Sequence, residues 1–280
     1  MTENGEVISM AFKIGFVSEQ QEKKQSDIVC APCEIQSTPR KSIVQVRFPG
    51  RGASLAYYND SFDLRRGDRV YVDGKLEGIL GRVEEVNYNF KIKISDYKRV
   101  IALVDTAVHG RFYMAASHFV TFDREALPAC KAASWFMPPT KEEDRFITGS
   151  DDTSFLLDDL SEMNITAEIA QRGRDYYLAN KVRYISINGT EGYAVVEGSK
   201  NYEVEFEYSN GEISKLVCSC FCSFNCKHEF AAMLQLKETL ELIKKNYESE
   251  FENAGYFAAV DKGVLFSFAV DGKDDGTFVL

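Results

Sequence analysis

The sequence predicts an α+β fold: a small all-β, barrel-like domain followed by a β-sheet-plus-helix unit organised around a Cys/His cluster. Three observations carry this. Between residues 40 and 104, short β-branched and aromatic runs alternate with turn residues. Between 202 and 208, apolar positions alternate along the chain, the period of a half-buried antiparallel sheet. Then four of the seven cysteines fall within nine positions, Cys218 to Cys226, and His228 follows at the start of a helical periodicity.

The residues up to 39 form an N-terminal segment. The barrel-like domain is expected over 40–128. Ile43, Val44, Val46 and Phe48 make its first run, ended by Pro49-Gly50 and Gly52. Leu55 to Tyr58 is a second run, and Arg69 to Val72 a third, closed by the tight-turn pair Asp73-Gly74. Leu76 to Val86 and Phe90 to Ile94 continue the meander, and Val100 to Val104 ends it. Leu64-Arg65-Arg66-Gly67-Asp68-Arg69-Val70-Tyr71-Val72 resembles the turn-to-strand passage of SH3-like barrels, which bind nucleic acids or peptides; the fold alone does not choose between these. An acidic linker is expected over 129–164. Pro138-Pro139 interrupts regular structure, and Lys141 to Glu162 holds eight acids against Lys141 and Arg145.

The second unit spans 165–248. A helix is expected from Ile165 to Leu178, then strands at Ile185–Ile187 and Tyr193–Val196 around Asn188-Gly189, and an alternating strand carrying Tyr202, Val204, Phe206 and Tyr208. Asn210-Gly211 turns the chain into Ile213–Val217, which delivers Cys218 and Cys220. Residues two apart on an extended chain point to one face, so both sulfurs can address one ion. Cys226 and His228 repeat this spacing. Phe230, Met233, Leu234, Leu240 and Ile243 then form a helical apolar stripe that Tyr247 closes. At that helix start, unpaired N–H groups and the dipole favour thiolates. Residues 249–280 are expected to add a β extension, with strands at Phe257–Val260 and Val264–Val270 around Lys262-Gly263. The chain stops at Leu280 directly after apolar residues, which is compatible with a fragment of a longer protein.

Thiolates with one imidazole are the donor set of a structural zinc site, tetrahedral and closed. Three thiolates, a neutral imidazole and a dication leave a charge of about minus one, which Lys227 is placed to soften. A catalytic zinc would need an open coordination position. Disulfides are argued against by the density of cysteines beside a histidine and by a polar start, Met1 to Val7, that is no signal peptide. No apolar run approaches the ~20 residues of a membrane span, so the expected location is cytoplasmic.

Cys-x-Cys, a short spacer and Cys-x-His before an Ala-containing helix resembles the SWIM zinc finger family. Upstream, Arg172-Gly173-Arg174-Asp175-Tyr176-Tyr177 is similar to that family's leading helix, and Lys181-Val182 to its first strand. Val196-Glu197-Gly198-Ser199-Lys200-Asn201-Tyr202-Glu203-Val204 is similar to its central glycine-serine turn. The resemblance covers about 165–248. Asn180 stands where the family usually has glycine; asparagine is the next best residue at a left-handed helix terminus. Phe221 stands where proline is common, and the extra Cys222 creates a competing register, Cys220-x-Cys222. The family's spacer and the less cramped loop favour Cys218, Cys220, Cys226 and His228 as ligands of one structural Zn²⁺, with Cys222 a bystander or replacement. The resemblance implies a module found with Swi/Snf-type ATPases and MuDR-type transposases that binds DNA or proteins.

Cys30 and Cys33 have redox or zinc spacing but no second pair, and Cys130 is distant in sequence. Their surroundings lack the strand and helix of a thioredoxin-like motif, so ordinary thiols are expected. His109 and His118 have no spaced partner and read as structural.

The net charge of −10 is unevenly spread. From Arg40 to Arg99, thirteen basic residues face eight acids, which hints that one face of the first domain meets an anion. No Walker A loop and no nucleophile–base pair occurs, so no enzyme is expected. The leading expectation is an accessory module contacting nucleic acid, DNA foremost. Its candidate contacts are Arg65, Arg66, Arg69, Arg174, Lys200 and Lys215, extended by Arg82, Lys91, Lys93, Arg172, Lys181 and Arg183. The rival is a protein-interaction module docking on a helicase or a chromatin-remodelling-type ATPase.

Overall fold

The computed structural model describes residues 39–140, 153–220, 222, 224–271 and 278–280. The described residues all belong to one compact unit. The Cys30/Cys33 pair and the most acidic part of the expected linker lie outside the described residues. The fold is mixed and strand-rich, with two antiparallel sheets and a few helices. Among the described residues, no helix is long and apolar enough to cross a membrane.

The first sheet contains β1 (Ser42–Arg47), β2 (Leu55–Asn59), β3 (Arg69–Val72), β4 (Gly81–Asn87) and β5 (Val100–Val104), in the order β2-β1-β4-β3-β5. Its edges meet: Tyr58 bridges Arg99, and the Tyr58 N–H donates to the Lys98 carbonyl at 2.9 Å. The sheet thus curls into a small barrel around Val44, Val46, Phe48, Val70, Val72 and Val83. Gly81 makes the closest packing possible, since a Cβ there would lie 2.3 Å from a Val46 methyl. Two expected strand runs differ. Leu76 to Leu80 is a turn that precedes β4, and Phe90–Ile94 forms no strand, leading instead into a 3-10 turn at Ile94–Asp96.

The second sheet has eight strands. β7 (Tyr113–Ala115), β8 (His118–Thr121), β14 (Tyr256–Asp261), β10 (Val182–Asn188), β11 (Glu191–Glu197), β12 (Asn201–Ser209), β13 (Glu212–Cys218) and β9 (Ser154–Leu156) lie side by side in that order, all antiparallel. It therefore draws strands from the segments expected to be barrel, linker and C-terminal extension. The parallel pair β6 (Gly110–Arg111) with β15 (Phe278–Val279) stands apart from both sheets. The described part of the expected linker is structured. Helix α1 (Ala129–Phe136) buries Trp135, whose indole N–H donates to the Asp105 carbonyl at 2.8 Å, and β9 pairs with β13. Val264–Val270, expected as a strand, is helical: α5 (Lys262–Leu265) runs into a π-helical turn at Phe266–Val270. A short apolar run fits either geometry, and Asp261 caps a helix here by accepting from the Val264 N–H.

Helix α2 (Ala167–Leu178) packs on α3 (Lys227–Asn246), and α3 packs on the second sheet, with α4 (Glu248–Ala254) following. On β12 the alternation is read out as expected, with Val204 and Phe206 inside. Asn180 adopts φ +52° and closes α2: its N–H donates to the Tyr177 carbonyl and the Lys181 N–H to that of Tyr176, the double bond of a Schellman end.

Candidate metal centre

Four side chains converge where β13 ends and α3 begins. Cys218 is the last residue of β13, Cys220 follows in the loop, Cys226 is the N-cap of α3 and His228 lies in its first turn. Their donor atoms all lie within 4.8 Å of one another, an arrangement that could hold a metal ion. His228 Nδ1 is 3.8 Å from Cys218 Sγ and 3.7 Å from Cys226 Sγ. Cys222 is exposed and outside this quartet. The register expected from the sequence is therefore the one the fold brings together.

Cys226 is held by helix capping. Its backbone N–H donates to Glu229 Oε2 at 2.6 Å, and its Sγ accepts from the Glu229 N–H at 3.5 Å, a capping box with sulfur in place of the usual hydroxyl. The helix dipole adds to the preference for a thiolate at this point.

His228 is buried against two tyrosines. The Tyr202 ring stacks on it, and Tyr176 meets it edge-on at 5.5 Å. Nδ1 faces the sulfurs, while Nε2 is buried without a hydrogen-bond partner. Burial first, then Lys227 and Arg172, push the imidazole down to about 4, so it is neutral at pH 7. Burial pushes the Cys220 thiol up to about 12, and the contact with Cys218, then burial, raises that of Cys226. A cation binding here must displace their protons, which makes metal binding proton-releasing.

Two glycines allow this approach. A Cβ on Gly198 would sit 2.8 Å from the Tyr202 ring and 3.3 Å from His228 Nε2. A Cβ on Gly173 would sit 2.9 Å from both the Lys227 carbonyl oxygen and Phe230 Cβ, so α2 touches the first turn of α3 only because Gly173 lacks one. Ser199 Oγ and the Tyr202 hydroxyl are 2.8 Å apart, fixing the glycine-serine turn onto the ring that covers His228.

The expected cationic contacts are dispersed. Arg66 and Arg69 line one cleft on the barrel, and Arg65 is exposed beside them in sequence. Arg69 and Arg82 both reach Asp271 at 3.7 Å. Lys215 pairs with Glu207 at 2.7 Å, Lys181 and Arg183 pair with Glu197, and Arg174 is exposed on α2. Lys200 lies 5.5 Å from the Tyr202 ring and lines a separate groove with Ser199 and Asn201. Sequence reasoning missed Arg47 and Arg51, which join Arg66, Arg69 and Arg82; the signal was the local basic excess, without a pattern that groups these five. Cys130 is exposed on α1 and disulfide-bonded. His118 is structural, as expected: buried, with Nε2 2.8 Å from the Val182 carbonyl.

No family model matches the chain, and no solved structure matches it. Over 69 residues, 25% of the chain, it is 33% identical to the uncharacterized protein MJ1493 of Methanocaldococcus jannaschii. The matched stretch spans 29% of that relative's length.

Proposed function

We propose that the chain is a non-enzymatic accessory module, built on a zinc-bound finger of SWIM type, that contacts nucleic acid. The convergence of Cys218, Cys220, Cys226 and His228 carries the zinc assignment. Three sulfurs and one imidazole are soft donors suited to zinc, and a tetrahedral ion with bonds of about 2.3 Å to sulfur and 2.0 Å to nitrogen separates its ligands by roughly 3.5–3.8 Å. The two Nδ1–sulfur distances fall in or beside that range. With four protein ligands the ion is structural: it ties the end of β13 to the start of α3.

The nucleic-acid reading rests on the basic excess of the first domain and on its arginine-lined face. DNA is the leading ligand. The test is a titration of protein, shown by elemental analysis to hold one zinc, with single- and double-stranded DNA and RNA at two salt concentrations. Phosphate contacts release counterions, so affinity falls steeply with salt. Affinity unchanged between low and physiological salt would sink the reading.

A second reading, docking on a protein such as a Swi/Snf-type ATPase, is favoured by one observation. Phe224, between the two ligand pairs, is 80% exposed, and Leu178 at the end of α2 is 68% exposed. A stable partner that co-purifies without nucleic acid would select it.

A further inference from the structure

The barrel carries an open cleft of about 920 Å³ whose charged lining is five arginines and one glutamate. Arg47 comes from β1, Arg51 from the turn after it, Arg66 from the turn before β3, Arg69 from β3 and Arg82 from β4. Glu84 is already committed to Arg47. Arg51 and Arg66 are exposed and enter no ion pair among the described residues.

A carboxylate of the chain itself sits among these arginines. Asp271, at the end of the π-helical turn, lies 3.7 Å from Arg69 Nη2 and 3.7 Å from Arg82 Nη1. Arg69 Nη2 also donates to the Ser267 carbonyl at 3.3 Å, holding that turn against the barrel. Two arginines thus already grip an anion, while Arg51 and Arg66 are exposed beside them. Burial, and then the like charge of the neighbouring Arg82, lower the Arg69 pKa against an opposing pull from Asp271.

We propose that this cleft is the phosphate-binding site for a nucleic-acid backbone, with Asp271 standing in one of its anion positions in the free protein. The inference rests on the nucleic-acid reading above and says where the strand lies. Guanidinium forks pair phosphate oxygens two at a time, and five of them in one cleft suit a ligand with several charges. Phe48, the one aromatic in the lining, is buried, so no ring is offered for base stacking. The cleft therefore grips backbone and carries no sequence preference.

The experiment is fluorescence anisotropy of the zinc-loaded full chain with mixed-sequence single- and double-stranded DNA and RNA at two salt concentrations. Wild type binds and weakens with salt. The double variant R51E/R66E, on two exposed side chains, loses at least about tenfold in affinity and about two in the salt slope. K245E, on an exposed side chain of α3, is the control and loses little. D271N binds about threefold tighter, because a surface-strength competitor is removed. If wild type binds while R51E/R66E matches it, the cleft assignment falls and the nucleic-acid reading stands. If wild type binds none of the four probes, both fall. If D271N binds more weakly than wild type, Asp271 is not a competitor. If poly-glutamate displaces the probe as well as unlabelled DNA does, the cleft serves acidic peptides instead. Unchanged thermal melts of the variants tie any loss to charge.

Discussion

The Tyr202 ring lies face to face on the His228 imidazole, with centroids 4.1 Å apart and planes 19° apart. The stack fixes the ring plane that aims Nδ1 at Cys218 and Cys226, and it seals the buried Nε2 from water. It also ties β12 to the start of α3, so a residue outside the Cys/His quartet orients one of its members.

Replacing Tyr202 with Ala is therefore expected to weaken metal affinity about 10- to 100-fold, the usual cost of losing a group that orients a ligand. Tyr202→Phe keeps the stack and loses only the Ser199 contact, so it should stay close to wild type. Chelator competition measures both. Equal affinity in the Ala variant would show that the stack has no orienting role.

Gly173→Ala tests the contact between α2 and α3. Helix propensity alone would favour alanine by about 1 kcal/mol. The added Cβ meets a backbone oxygen and a Cβ at 2.9 Å, which cannot swing aside. Overpacking of about 1–3 kcal/mol should win, lowering the melting temperature and, by displacing Lys227 and His228, the metal affinity.

Cysteine-to-serine variants separate the two registers. Cys218→Ser should lose tight metal binding, while Cys222→Ser should keep it with the same stoichiometry by elemental analysis. The reverse outcome would assign the site to the Cys220/Cys222 pair.

Metal loss has a calculable reach. Zinc binding is worth about 10–16 kcal/mol in isolated finger peptides, and the sequence alone suggests that Cys226→Ser or His228→Ala unfolds 165–248 and spares the barrel. The sheet widens that region, because β14 and β8 hydrogen-bond into it. Hydrogen exchange of these variants should show loss of protection in β8 and β10–β14 and in α3, with β1–β5 retained around their separate core. Unchanged melting of the second sheet after metal stripping would contradict this.

His118 predicts a pH dependence. Burial lowers its pKa below 6.5, against opposing pulls from the Val182 carbonyl, Asp261 and Glu238, while Arg183 also lowers it. A carbonyl only accepts, so Nε2 carries the proton and Nδ1 accepts from Ser117. Below pH 6.5 the unfolded chain takes up a proton that the folded chain refuses. Stability from this group is thus intact above pH 6.5 and falls on acidification, by up to about 1.4 kcal/mol per pH unit. His118→Gln keeps a donor for Val182 without titrating. Denaturant melts of the two metal-loaded proteins should diverge in slope between pH 7 and 5, wild type losing more.

The sequence by itself determined the Cys/His quartet, the order of β11 to β13 and the helix that follows. All of these are local. Side chains within ten residues of one another need only a strand end, a loop and a helix start, and Asn180 could be assigned its left-handed φ because it stands where the resembled family usually has glycine. Tertiary structure alone decided the rest. The apolar run Val264–Val270 satisfies strand and helix equally and became helical where Asp261 caps it. The strands β8, β9 and β14 joined β10 to β13 in one sheet because unpaired backbone edges must find partners, and sequence distance does not limit which. The arginine cleft gathers side chains from β1, β3, β4 and two turns. Strand pairing sets their proximity, and no spacing along the chain encodes it.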